Sequence, residues 1–190
     1  GETSKSGSTK RIIILTNGNS PFWDACRAGL EDAAKKLDLA KDGLTATLEV
    51  NDGTPQGQLD KLVQYGTSTD VAAVGVSALD ANNIRIADQM RKLREQGIHV
   101  VTIDSDVERS KMRDARFAFV GTDNLTGGKE LGRCAKGLRP EGGEFVSFVC
   151  RIGAENAIER MDGFQAGSGA KFIQKDRMGD DLDRTRARDN

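Results

Sequence analysis

From residue 11 onward, short unbroken apolar runs alternate with longer stretches in which apolar residues return every three or four positions. The short runs, at 11–16, 46–51, 71–77, 99–104, 117–121, 144–149 and 171–176, predict strands covered on both faces, because they lack the in–out alternation of a half-exposed sheet. The longer stretches, at 21–37, 55–66, 82–96, 124–137 and 156–166, predict amphipathic helices. Their proposed stripes run through Cys26, Leu30, Ala33 and Leu37, then Leu59, Leu62 and Val63, then Ile84, Ile86, Ala87, Met90 and Leu93. Ser20-Pro21 reads as a helix start, with serine as cap and proline at the first helical position, and Gly97 as a stop. Strand–helix–strand repetition with short connections implies an α/β fold: a Rossmann-like parallel sheet with helices on both faces, wound right-handedly.

Ahead of this pattern, "GETSKSGSTK" is small, polar and poor in apolar residues, which predicts a disordered tail or linker over residues 1–10. It has neither a charged-then-apolar signal nor room for a DNA-reading helix-turn-helix. Near the other end, "LRPEGGEF" breaks the composition before the sixth strand, and the chain closes at Asn190 inside an apparent helix.

The chain has 190 residues, with 28 basic and 29 acidic residues mixed along it and 5% aromatics. No basic stripe points to nucleic acid, and no apolar run has the length of a membrane span. Cys26, Cys134 and Cys150 lack metal or redox spacing. They read as small buried hydrophobes, with a Cys134–Cys150 disulfide as the alternative. His99, the single histidine, reads as a surface or edge residue.

The segment after the first strand, "TNGNSPFW", has neither the glycine spacing of a dinucleotide loop nor that of a P-loop. Asp104 and Asp106 suggest acid/base work, which makes an α/β enzyme one reading, although "IDSD" lacks cation-loop spacing. A second feature is more general. Polar residues stand at the carboxyl ends of successive strands: Thr16–Ser20, Asp52, Ser77, Asp104–Asp106 and Thr122–Asn124. In open parallel sheets these ends line the ligand crevice. Carboxylates and amides there suit a polyhydroxylated ligand, and Phe22 and Trp23 offer an apolar wall for its C–H face. Spacing alone equally allows the two aromatics to pack inward as a staple on the first helical turn.

"NSPFW", "VTIDSD", "FVGTDNLTGGKELG" and "NAIERMDGF", in this order, resemble the type I periplasmic sugar-binding proteins of ABC transporters, the ribose-binding-like group. The resemblance runs over residues 11–190. It implies a first α/β lobe over 11–121, a hinge crossing at Thr122, Asp123 and Asn124, and the beginning of a second lobe over 125–190, left incomplete. It also implies a non-enzymatic, extracytoplasmic protein that captures a monosaccharide or polyol between lobes without a cofactor or metal. Delivery to a membrane permease follows from the same resemblance, as does a possible lipid anchor through a removed N-terminal segment. Implied ligand residues are Ser20, Phe22, Trp23, Ser77, Asp104, Ser105, Thr122, Asn124, Asn156 and Arg160. Ser105 stands where many ribose-type members carry arginine, and Leu182 where many carry an aromatic. The effector-binding core of a LacI-type repressor shares the fold and is the alternative reading.

Overall fold

A computed structural model describes residues 8–190. The first seven residues of the expected tail lie outside the described residues. Its last residue, Lys10, is already in β1 and pairs with Leu44, so the tail is shorter than its composition implied. Five strands, β1 (Lys10–Leu15), β2 (Leu44–Glu49), β3 (Val71–Val76), β4 (His99–Ile103) and β5 (Phe119–Val120), form one parallel sheet in the order β2-β1-β3-β4-β5. Between them run α1 (Pro21–Lys36), α2 (Pro55–Thr67), α3 (Ile84–Glu95) and a single turn, α4 (Arg109–Met112). α4 carries too few residues to show a period. Beyond Thr122–Asp123, α5 (Asn124–Leu138), β6 (Gly143–Val149), α6 (Glu155–Ser168), β7 (Phe172–Gly179) and α7 (Arg184–Asp189) follow, with β6 and β7 forming a separate parallel pair.

The main core lies in the first sheet. Ile13, Leu15, Val74, Val76 and Val100 are fully buried, and Leu62, Ile86, Met90 and Leu93 cover them from α2 and α3. Each side chain of this size contributes about 1.5–3 kcal/mol by leaving water. The stripes differ in detail from those expected. Val63 and Ile84 face solvent, and α2 instead buries Gln58 and Tyr65. On α1 the inward stripe is Trp23, Cys26, Arg27, Leu30 and Ala34, while Leu37 ends the helix as its exposed cap. The largest side chain of the first turn sets that rotation. Gly97 has φ 84°, the left-handed backbone that a helix stop requires.

The second sheet departs from the expected two-sided cover. β6 alternates half-buried with exposed positions, and Val146, Phe148 and Ile173 face outward. Its covered side is an aromatic cluster in which the ring of Phe164 lies 4.6 Å from Phe145 and 6.2 Å from Phe172. α5 and α6 run parallel at unusually close range. A side-chain carbon added at Gly128 would meet the Arg160 carbonyl oxygen at 2.3 Å; one at Gly132 would meet that of Phe164 at 2.3 Å; one at Gly163 would meet that of Leu125 at 2.3 Å. Glycines four apart on each helix therefore let one backbone rest on the other. The cysteines are free, with Cys26 half-buried and Cys134 and Cys150 exposed. Cys134 and Cys150 are therefore not the buried hydrophobes expected, and Cys26, on the inward stripe of α1, is only partly so. His99 is exposed at the first position of β4.

Candidate functional site

The site is assembled at the carboxyl ends of β1 and β4. Buried Thr16 follows β1 directly, and its hydroxyl accepts from the Asn51 amide at 3.0 Å and donates to the Gly18 carbonyl at 2.8 Å, which curls the following loop. Buried Gln58 ties the neighbouring strand ends together. Its Nε2 donates to the carbonyls of Thr16 at 3.1 Å and Ser77 at 2.8 Å, and its Oε1 accepts from the Leu79 amide at 3.1 Å. This brace was missed in the sequence, where a polar residue on an apolar stripe reads as noise.

Ser20 occupies the cap position of α1 but makes no side-chain capping bond, so its hydroxyl stays available. Trp23 is only 3% exposed, and its Nε1 donates to Asn17 Oδ1 at 3.2 Å. Phe22 is half-exposed and meets the indole edge-on, with ring centroids 5.0 Å apart. The indole thus packs inward, held by its polar handle, while the pair still presents an apolar wall to the cleft.

Asp104 follows β4 with φ 58°, a left-handed conformation that aspartate tolerates better than bulkier residues, at a cost of roughly 1–3 kcal/mol. This turn lifts its carboxylate out of the strand line. Oδ2 accepts from the buried Ser77 hydroxyl at 3.1 Å, and Oδ1 from Asn156 Nδ2 at 3.4 Å. Burial pushes this carboxyl above the usual range; the Ser77 bond, the Arg160 charge and the Asn156 bond counteract it only in part. Two neutral donors leave Asp104 with lone pairs free for a guest.

Asp106, two residues on, has another fate. It is 1% exposed and clamped by Arg116 through Nε at 2.7 Å and Nη2 at 2.5 Å, by the Thr102 hydroxyl at 2.6 Å and by Arg109 Nε at 3.0 Å. Burial opposes ionisation, but these donors outweigh it and hold the carboxyl below its ordinary value. It is a structural anion facing away from the cleft, and the Asp104–Asp106 acid/base pair does not form.

Asn17, Ser20, Phe22, Trp23 and Asp104 face Cys150, Arg151, Asn156, Arg160 and Leu182 across a hollow of about 260 Å³. Of the ten expected ligand residues, Ser20, Phe22, Trp23, Asp104, Asn156 and Arg160 meet there. Ser77 lies behind the wall, beneath Asp104. Ser105 is fully buried with its hydroxyl unpartnered, because the turn at Asp104 sends the next side chain inward. Thr122 is exposed and outside the hollow. Asn124 is 1% exposed and acts indirectly, its Oδ1 accepting from Arg160 Nε at 2.7 Å. Asp123 caps α5, accepting from the Thr126 amide at 3.0 Å.

Arg151 was missed. Its Nε is buried without a partner, and its Nη1 stands 3.7 Å from Asp181. A side-chain carbon at Gly53 would lie 3.1 Å from Arg151 Nη2, so this arginine spans the gap to the first sheet's loops. The Cys150 thiol is pushed up by burial and by Asp180, which works against a reactive thiolate. Among the described residues no group of three or more His, Cys, Asp or Glu is placed to hold a metal ion, and no helix is long and apolar enough to cross a membrane. Chemically, the hollow offers one acceptor carboxylate, a hydroxyl, two amides, two guanidinium donors and an apolar wall.

Comparison with known proteins supplies a context for this geometry. Residues 12–189 match the family model described as the periplasmic binding protein domain. The D-allose-binding periplasmic protein of Escherichia coli K12 is 25% identical over 195 residues, which cover 98% of this chain and 60% of that protein. A ribose import binding protein of Salmonella typhimurium is 26% identical over 182 residues, covering 92% of this chain and 55% of its own length. Among solved structures, a solute-binding protein of Burkholderia graminis in complex with D-arabinose shares the fold with TM-score 0.80 at 21% identity, over 96% of this chain and 60% of its own. A Caulobacter myo-inositol binding protein gives TM-score 0.74 at 25% identity, over 91% of this chain and 57% of its own. The chain thus spans 60% or less of the length of these relatives.

Proposed function

Because the chain belongs to the periplasmic binding protein domain family, we propose that it captures a monosaccharide or polyol in the hollow between its two sheets. It does so as part of an extracytoplasmic solute-binding protein that delivers its cargo to an ABC-transporter permease. The observation that carries this reading is convergence. Asp104 and Ser20 from the first sheet, Asn156 and Arg160 from the second, and the Phe22–Trp23 wall meet on one hollow although up to 140 residues separate them in sequence.

Each part has a role. Asp104 accepts two vicinal hydroxyls, a charge-assisted contact of roughly 1.5–3 kcal/mol per bond. Asn156 and the guanidinium groups of Arg151 and Arg160 donate to ring and hydroxyl oxygens. Phe22 covers the C–H face. Contacts from both sheets mean that a guest favours the arrangement in which the sheets approach. A binding role without chemistry agrees with the relatives, which are named as binding proteins.

The test is calorimetric titration of the chain with D-allose, ribose, D-arabinose and myo-inositol, read beside the fluorescence of Trp23, the single tryptophan. A saturable isotherm with at least one of them is expected. Absence of heat and of any fluorescence change with all four would refute the reading.

A further inference from the structure

α6 presents two pairs of side chains, each spaced four apart. Asn156 and Arg160 face the hollow, while Glu155 and Glu159, one position back, face α4 of the first sheet. The partner on that side is Arg109. Its Nη1 lies 2.9 Å from Glu159 Oε1 and its Nε 3.0 Å from Asp106 Oδ2, and its guanidinium sits 4.7 Å above the Phe119 ring. Three restraints leave this arginine little freedom. Asp106 is itself fixed by Arg116, so the chain Arg116–Asp106–Arg109–Glu159 joins the interior of the first sheet's unit to the helix that carries the second sheet's ligand-facing residues. Glu159 is only 15% exposed and its other oxygen is buried without a partner, so losing Arg109 would strand a desolvated carboxylate.

We propose that Arg109 is a positioning residue: a latch that holds α6 against the first sheet through Glu159 and thereby sets how readily the cleft closes. Its purpose rests on the sugar-capture reading, but its geometry does not. The latch also carries a pH dependence. The charged groups facing the two glutamates are Arg109, Glu108 and Asp106 from the first sheet's side and Asp123 at the crossing. Burial, reinforced by Glu159, raises the Glu155 carboxyl to about 7, against the pull of Arg109. Separating the sheets would return Glu155 to water and to its ordinary acidity. The closed arrangement therefore takes up a proton, so it is favoured at about pH 6 and weakened as pH rises through about 7. Burial also raises the Glu159 carboxyl, against the pull of Arg109, so acidification weakens their ion pair.

The test needs no ligand. Spin labels at Cys134 on α5 and at Lys92→Cys on α3, both exposed positions, report the distance between the two units in a Cys26→Ala, Cys150→Ala background. The unmutated latch should give one dominant short distance at pH 6. Glu159→Gln, which leaves Arg109 on Asp106, should move the open-to-closed ratio about tenfold toward a longer distance, and Arg109→Ala should do the same. Combining the two should add little further, Arg109→Lys should restore part of the short population, and Glu155→Gln should flatten the pH response. Unchanged distances in Glu159→Gln, or fully additive effects of the two substitutions, would overturn the latch. Failure of every sugar to bind would refute the capture reading while leaving this measurement decisive on its own.

Discussion

Replacing Asp104 by asparagine separates binding from stability, because the two should move in opposite directions. The carboxylate is held by the Ser77 hydroxyl at 3.1 Å and the Asn156 amide at 3.4 Å, both neutral, and burial works against its charge. Asparagine keeps the side-chain shape and tolerates the left-handed φ of 58° that the position demands. On the binding side, two charge-assisted bonds to guest hydroxyls become neutral ones. Each loses roughly 1 kcal/mol, so affinity should fall by about 2 kcal/mol, roughly 30-fold. On the stability side, the variant no longer ionises a desolvated group. Since the folded-state value is raised, the wild-type penalty appears as pH rises through it; the variant should therefore show a higher urea midpoint at pH 7, and the advantage should shrink on acidification. Calorimetry with the best-binding sugar and urea unfolding at two pH values read both arms. Affinity within about threefold of wild type would refute Asp104 as the principal acceptor, whatever the stability result.

Arg116→Met should cost about 3–5 kcal/mol in urea unfolding at pH 7, because Asp106 would remain buried with its main partner gone. The loss should diminish as pH falls, since the pairing of Asp106 stabilises fully above its unfolded pKa of about 3.9 and fades as pH drops from there through its depressed folded value. Gly163→Ala should destabilise by roughly 1–3 kcal/mol through its clash with the Leu125 carbonyl, whereas Gly137→Ala, which meets nothing within 4 Å, should be neutral or stabilising by up to about 1 kcal/mol in the same assay. Ser77→Ala removes a bond that lowers the Asp104 value, so the pH at which sugar binding sets in should rise; an unchanged binding profile would argue against the bond.

The strand pattern carried the architecture because buried parallel strands leave few alternatives: each of the seven expected runs overlaps a strand of the structure. What the pattern lost was rotation and partnership. Nothing in "PFWDACRAGL" tells that Trp23 outweighs Leu37 in choosing the inward face of α1, because that choice depends on where the indole finds Asn17. Polar residues at strand ends brought Asp104 and Ser20 to the hollow, yet the same rule also nominated Ser105 and Thr122, whose directions depend on one left-handed residue and one exposed crossing. Asp104 and Asp106 look equivalent in sequence. Only the distant Arg116 and the short α4 turn distinguish the solvating wall from the buried anchor. Arg151 and Gln58 act through contacts across the chain that no local period encodes. The glycine spacings 128/132 and 163/167 were visible, but their meaning requires knowing that the two helices are neighbours.

Those paired glycines bear on how motion would travel. Two helices whose main chains touch have almost no side-chain cushion to deform, so α5 and α6 should turn as a single stiff lever. α5 starts directly at the crossing, and α6 bears both Asn156 and Arg160. A few degrees of rotation in Thr122 or Asp123 would then be delivered undamped to the Asn156 amide and the Arg160 guanidinium that line the hollow.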